Sequence, residues 1–148
     1  MAMLLWSGAL WQGTWLPTAF QPSVWHGHAM IFGFAGAAMV GFLTTAVPNW
    51  TGRMPIQGRP LGALALLWVV GRAACLISEV IGAVPAMLLD LVFFVALAAA
   101  MGREILAGRN WRNLPTLQAI ILLGFANLLV HLGPLTGFDA AYGLRLGA

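Results

Sequence analysis

From His26 to Val47 the chain carries no charged residue apart from two histidines. That run is long enough to cross the hydrocarbon core of a bilayer, which takes about 20 apolar residues. Read over 25–53 as WHGHAMIFGFAGAAMVGFLTTAVPNWTGR, it joins a membrane span to potential metal ligands at one end. Composition agrees. The 148 residues are 61% hydrophobic and 7% charged, against about 25% charge in a soluble domain, so the surface cannot face water. The length suits one membrane domain. The net charge of +3 comes from seven arginines and no lysine. Most lie in short loops between apolar runs, where charge sets orientation. This basicity is a topology signal and not a nucleic-acid footprint, and the partner it implies is the lipid bilayer.

Five apolar runs predict an all-α, polytopic transmembrane bundle of about five helices. The spans are expected near 1–16, 26–47, 61–82, 85–106 and 114–133. The first is short and weakened by Gln12 and Thr14, and it reads as a span rather than a removed leader, since it lacks a basic n-region and a cleavage pattern. Pro48 and Gly133-Pro134 are expected to end the second and fifth spans. The runs are continuous and lack the period-two alternation of barrel strands. Once the spans alternate in direction, Arg53, Arg59, Arg103, Arg109 and Arg112 share one side, and only Arg145 falls opposite. The positive-inside rule makes the N-terminus and the Arg-rich loops cytoplasmic.

All three histidines then collect at the outer level, joined by Glu79 and Asp90. His26 and Met30, four apart, share a helix face, while His28 points nearly the other way unless the first turn is unwound. Imidazole suits iron, copper and zinc, and thioether sulfur favours soft copper or haem iron. The alternative is interfacial histidines bonded to headgroups or loop carbonyls. Glu79, Asp90 and Asn127 are candidates to orient a ligand imidazole or ordinary interfacial polar groups. Gly33, Ala37 and Gly41 form a small-residue stripe that suits helix packing or room for a flat macrocycle. Arg72 lies about 16 Å into its span, where a charge costs on the order of 3 kcal/mol. It must face protein or an anionic group such as a haem propionate, and neither Glu79 nor Asp90 is an obvious helical partner. Cys75 has no disulfide partner and reads as a small buried hydrophobe. Trp25, Trp50 and Trp111 read as interfacial anchors. No catalytic acid–base constellation is visible.

The segment from Trp25 to Arg72, with LDLVF at 89–93, GRNWRNLP at 108–115 and ANLLVHLG at 126–133, resembles the NnrS family of bacterial inner-membrane proteins. The likeness covers the chain from Trp25 to about Leu146, and PNWTGR is its most specific block. It implies a multi-pass protein of the inner (cytoplasmic) membrane that binds haem b and copper and takes part in the response to nitric oxide and in denitrification. By position, His26, His28 and His131 become ligand candidates, with Met30 beside them; Arg72 and Gly33 remain the cofactor contacts suggested by their place in the spans.

The chain departs from the family pattern in three respects. Ala29 stands where the family's H-x-H-E-M motif has glutamate. The basic and aromatic segment upstream of the first span is absent. Members are also much longer, so the chain reads as an N-terminal fragment, a truncated reading frame or a reduced paralogue. Missing ligands would then come from a homo-oligomer or another membrane subunit, with Gly33, Ala37 and Gly41 as the candidate seam and nitric oxide as a possible ligand. Two other functions fit the residues: a dimeric transporter-like half-unit for a small anion or metal, and a non-functional remnant.

Overall fold

Proline and glycine decide where the helices begin and end. The computed structural model describes residues 2–12, 16–52 and 54–148; Met1, Gly13, Thr14, Trp15 and Arg53 lie outside the described residues. Helix α1 is Ala2–Gln12. Helix α2 (Pro22–His28) runs without a break through a π-helical segment, Ala29–Ala35, into α3 (Gly36–Thr51). After a loop come α4 (Arg59–Leu76), the single turn α5 (Ser78–Ile81) and α6 (Ala83–Ala107). A 3₁₀ turn at Trp111–Asn113 leads into α7 (Leu114–Thr136), and α8 (Ala141–Gly147) follows. Pro22, Pro60 and Pro115 sit in first turns, where a missing N–H leaves nothing unpaired.

Among the described residues, four helices are long and apolar enough to cross a membrane: Pro22–Trp50, Arg59–Leu76, Ala83–Ala107 and Trp111–Thr136. Of the run expected over 1–16, the described residues form the 11-residue α1, and positions 1 and 13–15 lie outside the described residues. At 1.5 Å per residue α1 reaches about half of a hydrocarbon core. Pro48 and Pro134 do not stop their helices. Both fall in a last turn, where the lost hydrogen bond is one of few remaining. The helices run on to Gly52 and Gly137, whose left-handed backbones (φ 68° and 74°) close them with N–H bonds to the carbonyls of Pro48 and Gly133.

Helix α6 is the centre, packed against α4, α7 and α3. Its buried residues Ala86, Asp90, Phe93, Phe94, Leu97, Met101 and Ile105 recur every three or four positions, so they form one inward stripe. Asp90 is the one carboxylate in the half of α6 nearer the histidines. Glycine sets how closely α4 approaches. A Cβ on Gly71 would lie 2.7 Å from Asp90 Oδ1 and 3.1 Å from its Cα, so only glycine lets the two helices meet there.

The opposite faces are apolar and open. Phe34, Leu66, Val95 and Phe125 are exposed, as lipid-facing side chains are. Trp50 and Trp111 are exposed at helix ends, whereas Trp25 is buried in the core and anchors no interface. The small-residue stripe divides: Gly33 is buried inside the bundle, while Ala37 and Gly41 face outward. Asn110 Nδ2 donates to the Trp50 carbonyl over 2.5 Å, which joins the 108–113 loop to the end of α3. Arg59, Arg103, Arg109 and Arg112 therefore gather at one end of the bundle, opposite the histidines.

Candidate metal centre

Four helices contribute polar side chains to one buried point. On α7, Asn127 and His131 are four residues apart and share a face. On α4, Arg72 and Cys75 are three apart and do the same. From α6 comes Asp90, and from α2 comes His28. His28, Asp90 and Asn127 are fully buried and His131 is 2% exposed.

The Asp90 carboxylate organises the cluster. Its Oδ1 accepts from the Arg72 guanidinium, which spans α4 to α6. Its Oδ2 accepts from Asn127 Nδ2 at 2.8 Å and lies 3.2 Å from His28 Nε2 and 3.1 Å from His131 Nε2. His28 Nε2 is also 2.6 Å from Asn127 Oδ1. Two acceptors face that nitrogen, so it carries the proton. His28 Nδ1 is then free to accept from Arg72 NH1 at 3.3 Å. Cys75 Sγ lies 3.9 Å from His131 Nε2. Buried charge in a bilayer is tolerated where it is paired and hydrogen-bonded, and here a guanidinium, an amide and two imidazoles surround one carboxylate.

Two aromatic rings close the site. Phe20 stacks on His28, with ring centres 5.5 Å apart, and meets His131 edge-on at 5.1 Å. Phe32 also packs against His28, tilted, at 5.0 Å. Phe20 is held there by its non-helical segment. Thr18 Oγ1 donates to the Cys75 carbonyl at 2.9 Å, and Ser78 Oγ accepts from the Ala19 N–H at 2.9 Å. The π-helical segment follows His28 directly. Its Gly33 carbonyl accepts from Trp68 Nε1 at 3.1 Å, and a Cβ on Gly33 would lie 3.2 Å from Arg72 Cδ. Gly33 thus clears the path along which Arg72 reaches Asp90.

The structure sorts the expected site residues. It brings His28, His131, Asp90, Asn127 and Arg72 together, with Gly33 alongside. His26 is turned away and stacks on Trp6 of α1 at 4.8 Å. The turn that carries His26 and His28 is regular α-helix, and His28 is the one that points inward; Met30 lies in the π-helical segment and is half-buried. Glu79 is exposed on α5. Arg72 does have a carboxylate partner, Asp90, contrary to the helix-spacing expectation, because the partner lies across a hairpin and not along the same helix. Cys75, read as a plain hydrophobe, is the residue that sequence reasoning missed. Its position one turn beyond Arg72 was the available signal.

One ligand atom from each of His28, Cys75, Asp90 and His131 lies within 4.8 Å of the others. Two nitrogens, a sulfur and a carboxylate oxygen suit copper or zinc, and metal–ligand bonds of about 2.0–2.3 Å would need only small side-chain shifts. The four residues could therefore hold one metal ion, with the His28 proton moved to Nδ1 in exchange for the Arg72 NH1 contact and Nε2 left bare as the ligand atom. A macrocycle fits poorly between the two histidines, because both Nε2 atoms converge on a single carboxylate oxygen and leave no slot between the rings.

Compared with known families, residues 1–148 match the model described as NnrS protein. No curated protein and no solved structure matches the chain.

Proposed function

The chain belongs to the NnrS family, and on that premise we propose that it is a membrane metalloprotein of the nitric oxide response in which His28, Cys75, Asp90 and His131 hold a single copper ion. The observation that carries this reading is the convergence of four ligand atoms within 4.8 Å at a buried point. Charge favours the monovalent ion. With a cysteine thiolate, the Asp90 carboxylate and the Arg72 guanidinium, copper(I) leaves the cluster neutral, whereas a divalent ion leaves it positive in a medium that penalises net charge. Thiolate and imidazole are also the donors that soft copper(I) prefers. When bound, the copper supplies a centre that can coordinate nitric oxide or pass an electron.

The chain's own residues do the rest. Asn127 and Arg72 fix the carboxylate from two sides, Phe20 and Phe32 keep the centre dry, and Gly71 and Gly33 allow the approach that brings α4 to α6. The membrane is the bacterial inner membrane, with the Arg-rich end in the cytoplasm by the positive-inside rule and the metal centre in the outer half. Copper per chain, measured on detergent-purified protein loaded with copper(I) under competition from a chromophoric chelator, tests this reading. One copper is expected in the wild type and in His26→Ala, and less than one in His131→Ala and Cys75→Ser. Folded wild-type protein that takes up no copper, or copper that persists in both ligand variants, overturns it.

A further inference from the structure

A cavity of about 350 Å³ lies at the histidine end of the bundle. One wall is the non-helical segment around Phe20 and Gln21 with Val24; the other is the end of α7 and the turn into α8, with Gly133, Phe138 and Ala140. The exposed residues Gln21, Gly137 and Asp139 bring it to the surface. Phe20 lines this cavity and is itself only 5% exposed. Its ring contacts both His28 and His131, so one phenyl group separates the cavity from the cluster.

We propose that this cavity is the antechamber of the centre and that Phe20 is the residue that selects what passes from one to the other: small, uncharged molecules. The proposal rests on the reading of the cluster as a ligand-binding centre. Phe20 is suited to the role by its backbone. Residues 16–21 belong to no helix, and the chain there is pinned through Thr18 and Ala19 rather than by a helical ladder. The ring can swing without breaking a helix. The cavity itself is lined by Gln21 and Asp139 as well as by Ala19, Val24 and Ala140; it is at the buried Phe20 ring that a charged solute would have to shed its hydration against an apolar face. A neutral diatomic fits this passage, and a hydrated ion does not.

Cys75 is the chain's only cysteine and lies behind Phe20, so its modification reports passage without any metal. The test is the rate at which metal-free, detergent-purified protein reacts with the small neutral reagent methyl methanethiosulfonate. Phe20→Ala is expected to raise the rate by an order of magnitude, roughly what a lowering of the local opening cost by ~1.4 kcal/mol gives. Val24→Trp, which narrows the cavity, is expected to slow the wild type and to return the Phe20→Ala rate toward it. A general loosening of the core would also speed Phe20→Ala, but Val24→Trp would then have no effect, and that result overturns the proposal. If Phe20→Ala does not fold, Val24→Trp in the wild-type background decides alone: slowed labelling supports the route, and an unchanged rate refutes it. Copper uptake with labelling indifferent to Val24→Trp sinks the route and spares the metal centre; the reverse pattern spares the route.

Discussion

Arg72 and Asp90 face each other across the α4–α6 hairpin at nearly equal distances from the turn at Gly82, one before it and one after it. In an antiparallel hairpin, residues whose numbers sum to about the same value sit side by side. The pair is therefore a product of topology, and it is what allows an arginine to lie deep in a membrane span.

Removing one member should cost more than removing both. Asp90→Asn leaves the guanidinium without a counter-charge, and a loss of about 3–5 kcal/mol is expected for a broken buried pair. The double variant Arg72→Met/Asp90→Asn, compared with each single, should recover a large part of it. Unfolding in detergent, read as a double-mutant cycle, checks this; additive losses would show that the two residues are not coupled.

Gly71→Ala should destabilise by about 1–3 kcal/mol as an overpacking change, since its methyl meets Asp90 at the α4–α6 crossing. Gly62→Ala on the same helix meets nothing within 4 Å. It should be neutral or stabilising, because alanine is the better helix former. The comparison is read from the two thermal midpoints.

Much of this was legible in the sequence, and the part that was not has a physical cause. The apolar runs gave the helical class, and the spacing of Asn127 and His131 placed them on one face. Helix spacing describes one helix, though, and says nothing of its neighbours. It therefore hid the Arg72–Asp90 pair and the role of Cys75, which depend on α4 lying against α6. It also favoured the His26–Met30 face, because which face of α2 turns inward is decided by packing against α7. The expected stops at Pro48 and Pro134 failed because a proline in a last turn disturbs little.

Asn127→Leu should weaken copper binding about 10–100-fold, the usual effect of losing a group that orients ligands, while still allowing one copper per chain at saturation. Asn127 touches both His28 and Asp90 but is not one of the four ligands. Chelator competition measures the shift, and an unchanged affinity would mean that Asn127 only packs.

Orientation has its own test. Cysteines placed at Gln57, in the loop between α3 and α4, and at Tyr142, on α8, in a Cys75→Ser background should label oppositely with an impermeant reagent applied to intact cells. Tyr142→Cys is expected to react from outside and Gln57→Cys only after lysis. The reverse pattern would put the metal centre on the cytoplasmic side.

The most direct measurement is X-ray absorption on the copper-loaded, detergent-purified chain and on Cys75→Ser. The account predicts copper(I) with one sulfur at about 2.3 Å, as for metal–thiolate bonds generally, together with imidazole nitrogen, and loss of the sulfur shell in the variant. A copper shell of nitrogen and oxygen alone, unchanged by Cys75→Ser, would contradict it.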